Sequence, residues 1–134
     1  MRPAAVDEVL RTFFSTAAPE IVTAYLYGSR ARGTATADSD VDVAVLYAED
    51  PAPSLEGLPL DLEAELERVL GLTVQVVALN RAPVDLVHRV LRDGVLVLDR
   101  DRSRRIRFEV RARNEFFDLQ PFLARYRAAP AAPR

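Results

Sequence analysis

A Gly28-Ser29 pair is followed, ten residues later, by Asp40-Val41-Asp42. On a β-strand, residues two apart project to the same face, so Asp40 and Asp42 lie side by side. Two carboxylates held that close repel unless a cation sits between them. A hard divalent ion meets that demand, and Mg²⁺ commonly takes one or two carboxylates together with substrate phosphates. The opposite parity reads Val41, Val43, Val45, the pattern of a face turned to the core. Gly28-Ser29 supplies the complementary half. A glycine at a strand end lets the backbone approach a ligand closely, and free N–H groups with a Ser hydroxyl can cradle phosphate oxygens. A short helix starting near Arg30 would add its positive end, and Arg30 and Arg32 themselves are candidate nucleotide contacts. Phosphoryl and nucleotidyl transfer ask mostly for such positioning and charge neutralisation. Taken singly, Gly-Ser turns and Asp-x-Asp strands are commonplace. Their combination, with a strand on either side, is what points to a triphosphate and metal site.

The elements that must hold these residues are legible in outline. Val6, Val9, Leu10, Phe13 and Phe14 recur at helical spacing and predict a helix over residues 4–16. Ile21 to Tyr27 is β-branched and aromatic and stops at Gly28, which predicts a strand ending in a tight turn. A second strand is expected from Asp40 to Tyr47, then a loop marked by Pro51, Pro53, Gly57 and Pro59 that is long enough to move. Leu60 to Leu70 reads as a helix closed by Gly71, and Thr73 to Leu79 as a third strand. A helix starts after Pro83 and ends near Asp93-Gly94, and Val95 to Leu98 is a short strand or turn. The last helix is expected from Asp101 to about Asp118, restarting or kinking at Pro121 and running to Tyr126. This order predicts an α/β (α+β) domain with one sheet, spanning residues 1–127, and a disordered tail over 128–134.

Composition removes several alternatives. The chain has 134 residues, no Cys and one His, His88, so disulfides, thiolate catalysis and Cys or His metal clusters are excluded. All 18 basic residues are Arg, which excludes Schiff-base lysines and a P-loop lysine. Apolar runs are strand-sized and the N-terminus lacks a signal-peptide core, so a cytoplasmic protein with no membrane span is expected. The net charge of −2 conceals polarity along the chain. Asp38 to Glu67 carries ten acidic residues and no Arg, whereas Arg100 to Arg113 carries seven Arg against Asp101 and Glu109. With Phe108 as its one aromatic, that run reads as a solvated helix face with local ion pairs rather than a nucleic-acid surface, a partner contact ranking second. His88 is read as structural or exposed, and Phe116, Phe117 and Phe122 as packing groups or parts of a docking patch.

Gly-Ser, ten residues and Asp-x-Asp together resemble the signature of the DNA polymerase β-like nucleotidyltransferase superfamily. The compact form GSRARG…SDVDV is similar to the minimal nucleotidyltransferase (MNT) family. The segments LNRAP (79–83), LRDGVLVLDRD (91–101) and RFEVRARNEFFDLQPFLARYR (107–127) resemble MNT antitoxins encoded beside HEPN-domain RNase toxins. The resemblance implies a small nucleotidyltransferase fold, with one mixed sheet, helices packed on it and a C-terminal helical tail. It further implies transfer of AMP from ATP to a tyrosine of the partner HEPN toxin, with Gly28 and Ser29 on the triphosphate and Asp40 and Asp42 on Mg²⁺. Family members place a third carboxylate on the next strand, in a Val-Asp-Leu-Val-like context. Here Val74-Gln75-Val76-Val77 stands there, so Gln75 occupies the place of the acid. A Gln oxygen can ligate a metal, but it brings no charge and accepts no proton as a carboxylate does. Asp61, Glu63 and Asp85 are the acids that would have to substitute. Two other readings follow: a stoichiometric toxin inhibitor whose catalysis has decayed, and a small-molecule nucleotidyltransferase, for which the chain is short.

Overall fold

The computed structural model describes residues 5–51 and 59–128. Helix α1 (Ala5–Thr16) leads into β1 (Ile21–Tyr27), the four-residue α2 (Ser29–Arg32) and β2 (Val41–Tyr47). After α3 (Leu60–Leu70) come β3 (Val74–Ala78), a 3₁₀ turn (Leu79–Arg81), α4 (Val84–Asp93), β4 (Val95–Asp99) and α5 (Arg102–Ala128). The four strands form one mixed sheet in the order β3-β2-β1-β4. β1 is antiparallel to β2 and β4, while β2 and β3 run parallel. A parallel pair needs a crossover, and α3 provides it.

Helices cover both sheet faces, which is why the central strands are apolar at both parities. On one face Val6, Leu10 and Phe14 of α1 and Leu66 and Leu70 of α3 pack on Ile21, Leu26, Val41, Val43 and Val45. On the other, Val87 and Val90 of α4 and Phe108 of α5 pack on Tyr25, Ala44 and Leu46. Val41, Val43 and Val45 therefore face the core, and Asp42 belongs to the face that α4 and α5 cover further along.

Side chains complete what the elements leave open. Edge strand β3 donates its outward Val74 and Val76 N–H groups to the Glu67 and Glu63 carboxylates of α3, at 3.1 and 2.7 Å. Those acids close an edge that would otherwise pair with another strand. Arg100 reaches back to the end of α1, donating to the carbonyls of Phe14, Ala17, Ala18 and Ile21. These include carbonyls that a helix terminus leaves without partners. Asp101 accepts the Arg104 N–H at 3.1 Å and so caps α5. Tyr25 donates to Glu109 at 2.5 Å, and Arg105 joins Glu109 to Asp99 at 3.2 and 3.0 Å, tying α5 to β1 and β4.

Several boundaries differ from expectation. β2 starts at Val41, leaving Asp40 just ahead of it, and Leu79 begins a 3₁₀ turn instead of ending β3. α5 runs unbroken through Pro121. A helical proline frees the carbonyl four residues back, here that of Phe117, whose residue is 74% exposed, so water is at hand to satisfy it. Ala128 is helical, and the rest of the expected tail, 129–134, lies outside the described residues, as does most of the expected loop, 52–58.

Candidate active site

β1 delivers the chain to Gly28 at φ 74°, ψ −157°, a backbone conformation open to glycine and costly for other residues. There is also no room for a side chain. A Cβ on Gly28 would lie 2.3 Å from Oδ2 of Asp42, so the carboxylate rests against the bare Cα. α2 opens directly after Gly28 and closes at Gly33 in the left-handed region, with the Thr34 N–H returning to the Ser29 carbonyl at 3.0 Å. Ser29 thus stands at the mouth of the turn, one residue from the point where Asp42 meets the backbone.

The connection to Asp40 is held by Arg30. Its guanidinium donates to the Ser39 carbonyl at 2.7 and 3.1 Å and to that of Ala37 at 3.3 Å. The Thr36 N–H donates to Ser39 Oγ at 2.9 Å and tightens the same turn. Arg30 therefore shapes the loop that presents Asp40. Arg32 is placed differently: its charge pulls on both Asp42 and Asp93.

Register brings the remaining group in. Asp42 is paired across β1 with Tyr27 and across β3 with Gln75, so all three side chains project from one face. Gln75 Nε2 lies 3.5 Å from Asp40 Oδ2, at the limit of a hydrogen bond. Asp40, Asp42 and Gln75 are thus brought together. The other acids are not equivalent. Glu63 is engaged with the Val76 N–H, and Asp61 is exposed in the first turn of α3. Asp85 lies in the first turn of α4, about 12 Å along the helix axis from its Asp93 end, which borders the site.

The electrostatics are those of a site lacking a counter-ion. Among the described residues no basic side chain makes an ion pair with Asp40 or Asp42. Partial burial, and then the charge of Asp40, push the Asp42 carboxyl above the usual carboxylate range, against the pull of Arg32. The Tyr27 phenol is pushed up by burial and by Asp42, with Arg89 opposing. No group of three or more His, Cys, Asp or Glu suited to a metal occurs among the described residues. Two carboxylates, an amide oxygen and a Gly-Ser turn fit a divalent cation that arrives with phosphate ligands of its own.

Sequence reasoning missed Tyr27, Arg89 and Asp93. Tyr27 could have been flagged as the neighbour of Gly28, but Arg89 and Asp93 join only because α4 ends beside the start of β4. A cleft of about 560 Å³ between Leu46, Asp50, Asn80, Arg104 and Phe108 lies toward the other end of β2 and includes no expected site residue. In the Arg-rich run Arg105, Arg111 and Arg113 form the expected local ion pairs, with Asp99, Glu115 and Glu109. His88 stacks on Phe116 at 3.6 Å, whereas Phe117 and Phe122 are 74% and 61% exposed, Phe122 with the Arg125 guanidinium over its ring.

Comparison with known proteins adds to this geometry. The family model described as "Polymerase beta, Nucleotidyltransferase" matches residues 8–103. The protein adenylyltransferase MntA of Thermococcus cleftensis is 40% identical over 72 residues, covering 54% of this chain and 70% of that protein. A chain of a toxin–antitoxin complex with AMP-PNP superposes with a TM-score of 0.68 at 23% identity, covering 96% of this chain and all of that one. A chain from the tri-AMPylated Shewanella oneidensis HEPN toxin in complex with MNT antitoxin gives 0.67 at 19% identity, covering 95% and 100%. At those identities the two structural likenesses establish the fold.

Proposed function

The chain belongs to the polymerase beta nucleotidyltransferase family, and from that premise we propose that it is an antitoxin that moves AMP from ATP to a tyrosine hydroxyl of a HEPN toxin. The observation carrying this reading is the Asp42 carboxylate lodged against the bare Cα of Gly28, with Asp40 beside it. Gly28 and Ser29 take the triphosphate, Asp40 and Asp42 hold Mg²⁺, and Arg30 keeps the Asp40 loop in shape. Arg32 offsets part of the negative charge when the nucleotide enters. Bound there, the cation would neutralise phosphate charge and help orient the α-phosphate. The relatives support the acceptor: one is a protein adenylyltransferase, and another sits with an AMPylated HEPN toxin. No helix among the described residues is long and apolar enough to cross a membrane, and use of ATP fits a cytoplasmic protein.

The test is intact-mass analysis of the co-expressed toxin after incubation with ATP and Mg²⁺. An AMP-sized increase on a tyrosine, absent with Asp40→Ala, is expected. Gln75 motivates the second reading, a stoichiometric inhibitor. Neutralisation without any mass increase, unchanged in a variant lacking both aspartates, would favour it.

A further inference from the structure

We propose that Gln75 is a selectivity residue: by placing a neutral amide where a third acid would stand, it confines transfer to acceptors that give up their proton unaided, phenolic rather than aliphatic hydroxyls. The inference rests on the nucleotidyl-transfer reading above. It starts from placement. Gln75 is in register with Asp42, projects from the same face and has its amide nitrogen 3.5 Å from Asp40 Oδ2. The amide donates where an acid would repel, so Asp40 is steadied without the cluster gaining a third negative charge.

Two consequences follow. With two carboxylates, the cluster attracts a divalent cation weakly until a triphosphate adds its own oxygens and charge. Gln75 also offers the acceptor no base. In the transfer, the acceptor oxygen bonds to the α-phosphorus, the bond from that phosphorus to the α–β bridging oxygen breaks, and pyrophosphate leaves with its electron pair. The acceptor's proton must go somewhere, and an amide oxygen does not take it as a carboxylate does. Glu63 accepts the Val76 N–H, Asp93 at the rim is paired with Arg92, and Asp61 and Asp85 lie away from Asp40 and Asp42. The proton therefore passes to solvent. A phenol, with a pKa of about 10, ionises far more readily than an aliphatic alcohol.

The full chain is compared with Gln75→Glu, which keeps the side-chain shape, and with Gln75→Asp in case the longer acid distorts the site. First, Mg²⁺ alone is titrated without nucleotide and followed by thermal shift. Both acids are expected to bind Mg²⁺ at least about tenfold more tightly than the unaltered chain, which gains affinity only with AMP-PNP present. Equal binding of Mg²⁺ alone by all three would overturn the proposal. Second, transfer is measured to the toxin and to a toxin with the modified tyrosine changed to serine. The unaltered chain should prefer tyrosine by at least about a hundredfold, its rate climbing with pH toward the phenol's pKa. The acid variants should narrow that preference at least about tenfold and level off at lower pH. An unchanged preference and pH profile would overturn the proposal. Transfer by none of the chains would instead remove the parent reading, leaving the Mg²⁺ titration to decide the role of Gln75.

Discussion

The two ends of the sheet treat the same residue types in opposite ways. Around β4 and the start of α5, charges are matched. Arg105 bridges Asp99 and Glu109, Tyr25 donates to Glu109, and Arg100 gathers four carbonyls at the end of α1. Where β1 gives way to β2, Asp40 and Asp42 stand together without an ion-pair partner among the described residues, and Gly28 occupies a backbone region other residues avoid. The first arrangement is finished within the chain. The second leaves its carboxylates open to a ligand. The unmatched end is thus the place where ligand binding can release free energy, because the protein has not already satisfied those groups itself.

Breaking the unmatched end should have the largest effect. Asp42→Asn is expected to lower AMP transfer by about 10²–10³-fold, the scale of several kcal/mol of lost charge stabilisation. Quantitative mass spectrometry of the toxin would measure it. The same variant sharpens the comparison through stability. Asp42 is raised above its ordinary pKa of 3.8 by burial and by Asp40. Below that value, folded and unfolded chains are both protonated and no penalty exists. As pH climbs to the raised folded value the unfolded chain ionises first, and above it the penalty is complete. Metal-free Asp42→Asn should therefore melt higher than the parent near neutral pH, with the gap closing toward about pH 3. Equal melting temperatures across that range would mean the carboxylates are not strained.

Gly28→Ala ranks next. The added Cβ would displace the Asp42 carboxylate or shift the turn, and misplacement on the order of 1 Å costs about 10²-fold in rate. Steady-state transfer rates with the variant's fold checked by circular dichroism would report it. At the matched end, Arg100→Ala strips a donor from four carbonyls and should cost about 1–3 kcal/mol. Urea unfolding would show that loss, while transfer per folded molecule stays near the parent value. The smallest effect is expected at Thr23, fully buried with its hydroxyl oxygen lacking a partner. Thr23→Val should stabilise by about 1 kcal/mol, read as a rise of about 3–4 °C in melting temperature. A drop would show that the hydroxyl is satisfied after all.

The fold was largely legible because its signals are local. Helical spacing found α1, α3 and α4, and β-branched runs bounded by Gly and Pro found the strands. The errors sit where a local rule met a tertiary exception. Pro121 reads as a point of restart, yet α5 is continuous through it. Phe117 reads as packing, but that stretch of α5 leaves it uncovered. Arg30 is a different case: read as a nucleotide contact from its place beside the turn, it also holds the loop to Asp40. Its hydrogen bonds to Ser39 and Ala37 are not visible in spacing, since they depend on how the loop folds back.

By itself, the sequence determined that a Gly-Ser turn and an Asp-x-Asp pair exist and that valines lie behind Asp42. Strand period and glycine chemistry are properties of adjacent residues, so no partner is needed to read them. Tertiary structure decided what stands next to them, a place the resemblance implies for Gln75 but not for Arg89 or Asp93. Pairing β3 parallel to β2 puts Gln75 in register with Asp42, and the packing of α4 brings Arg89 and Asp93 to the rim. Those meetings join residues tens of positions apart. They follow from strand order and helix docking, which the core's burial selects and which no local spacing records.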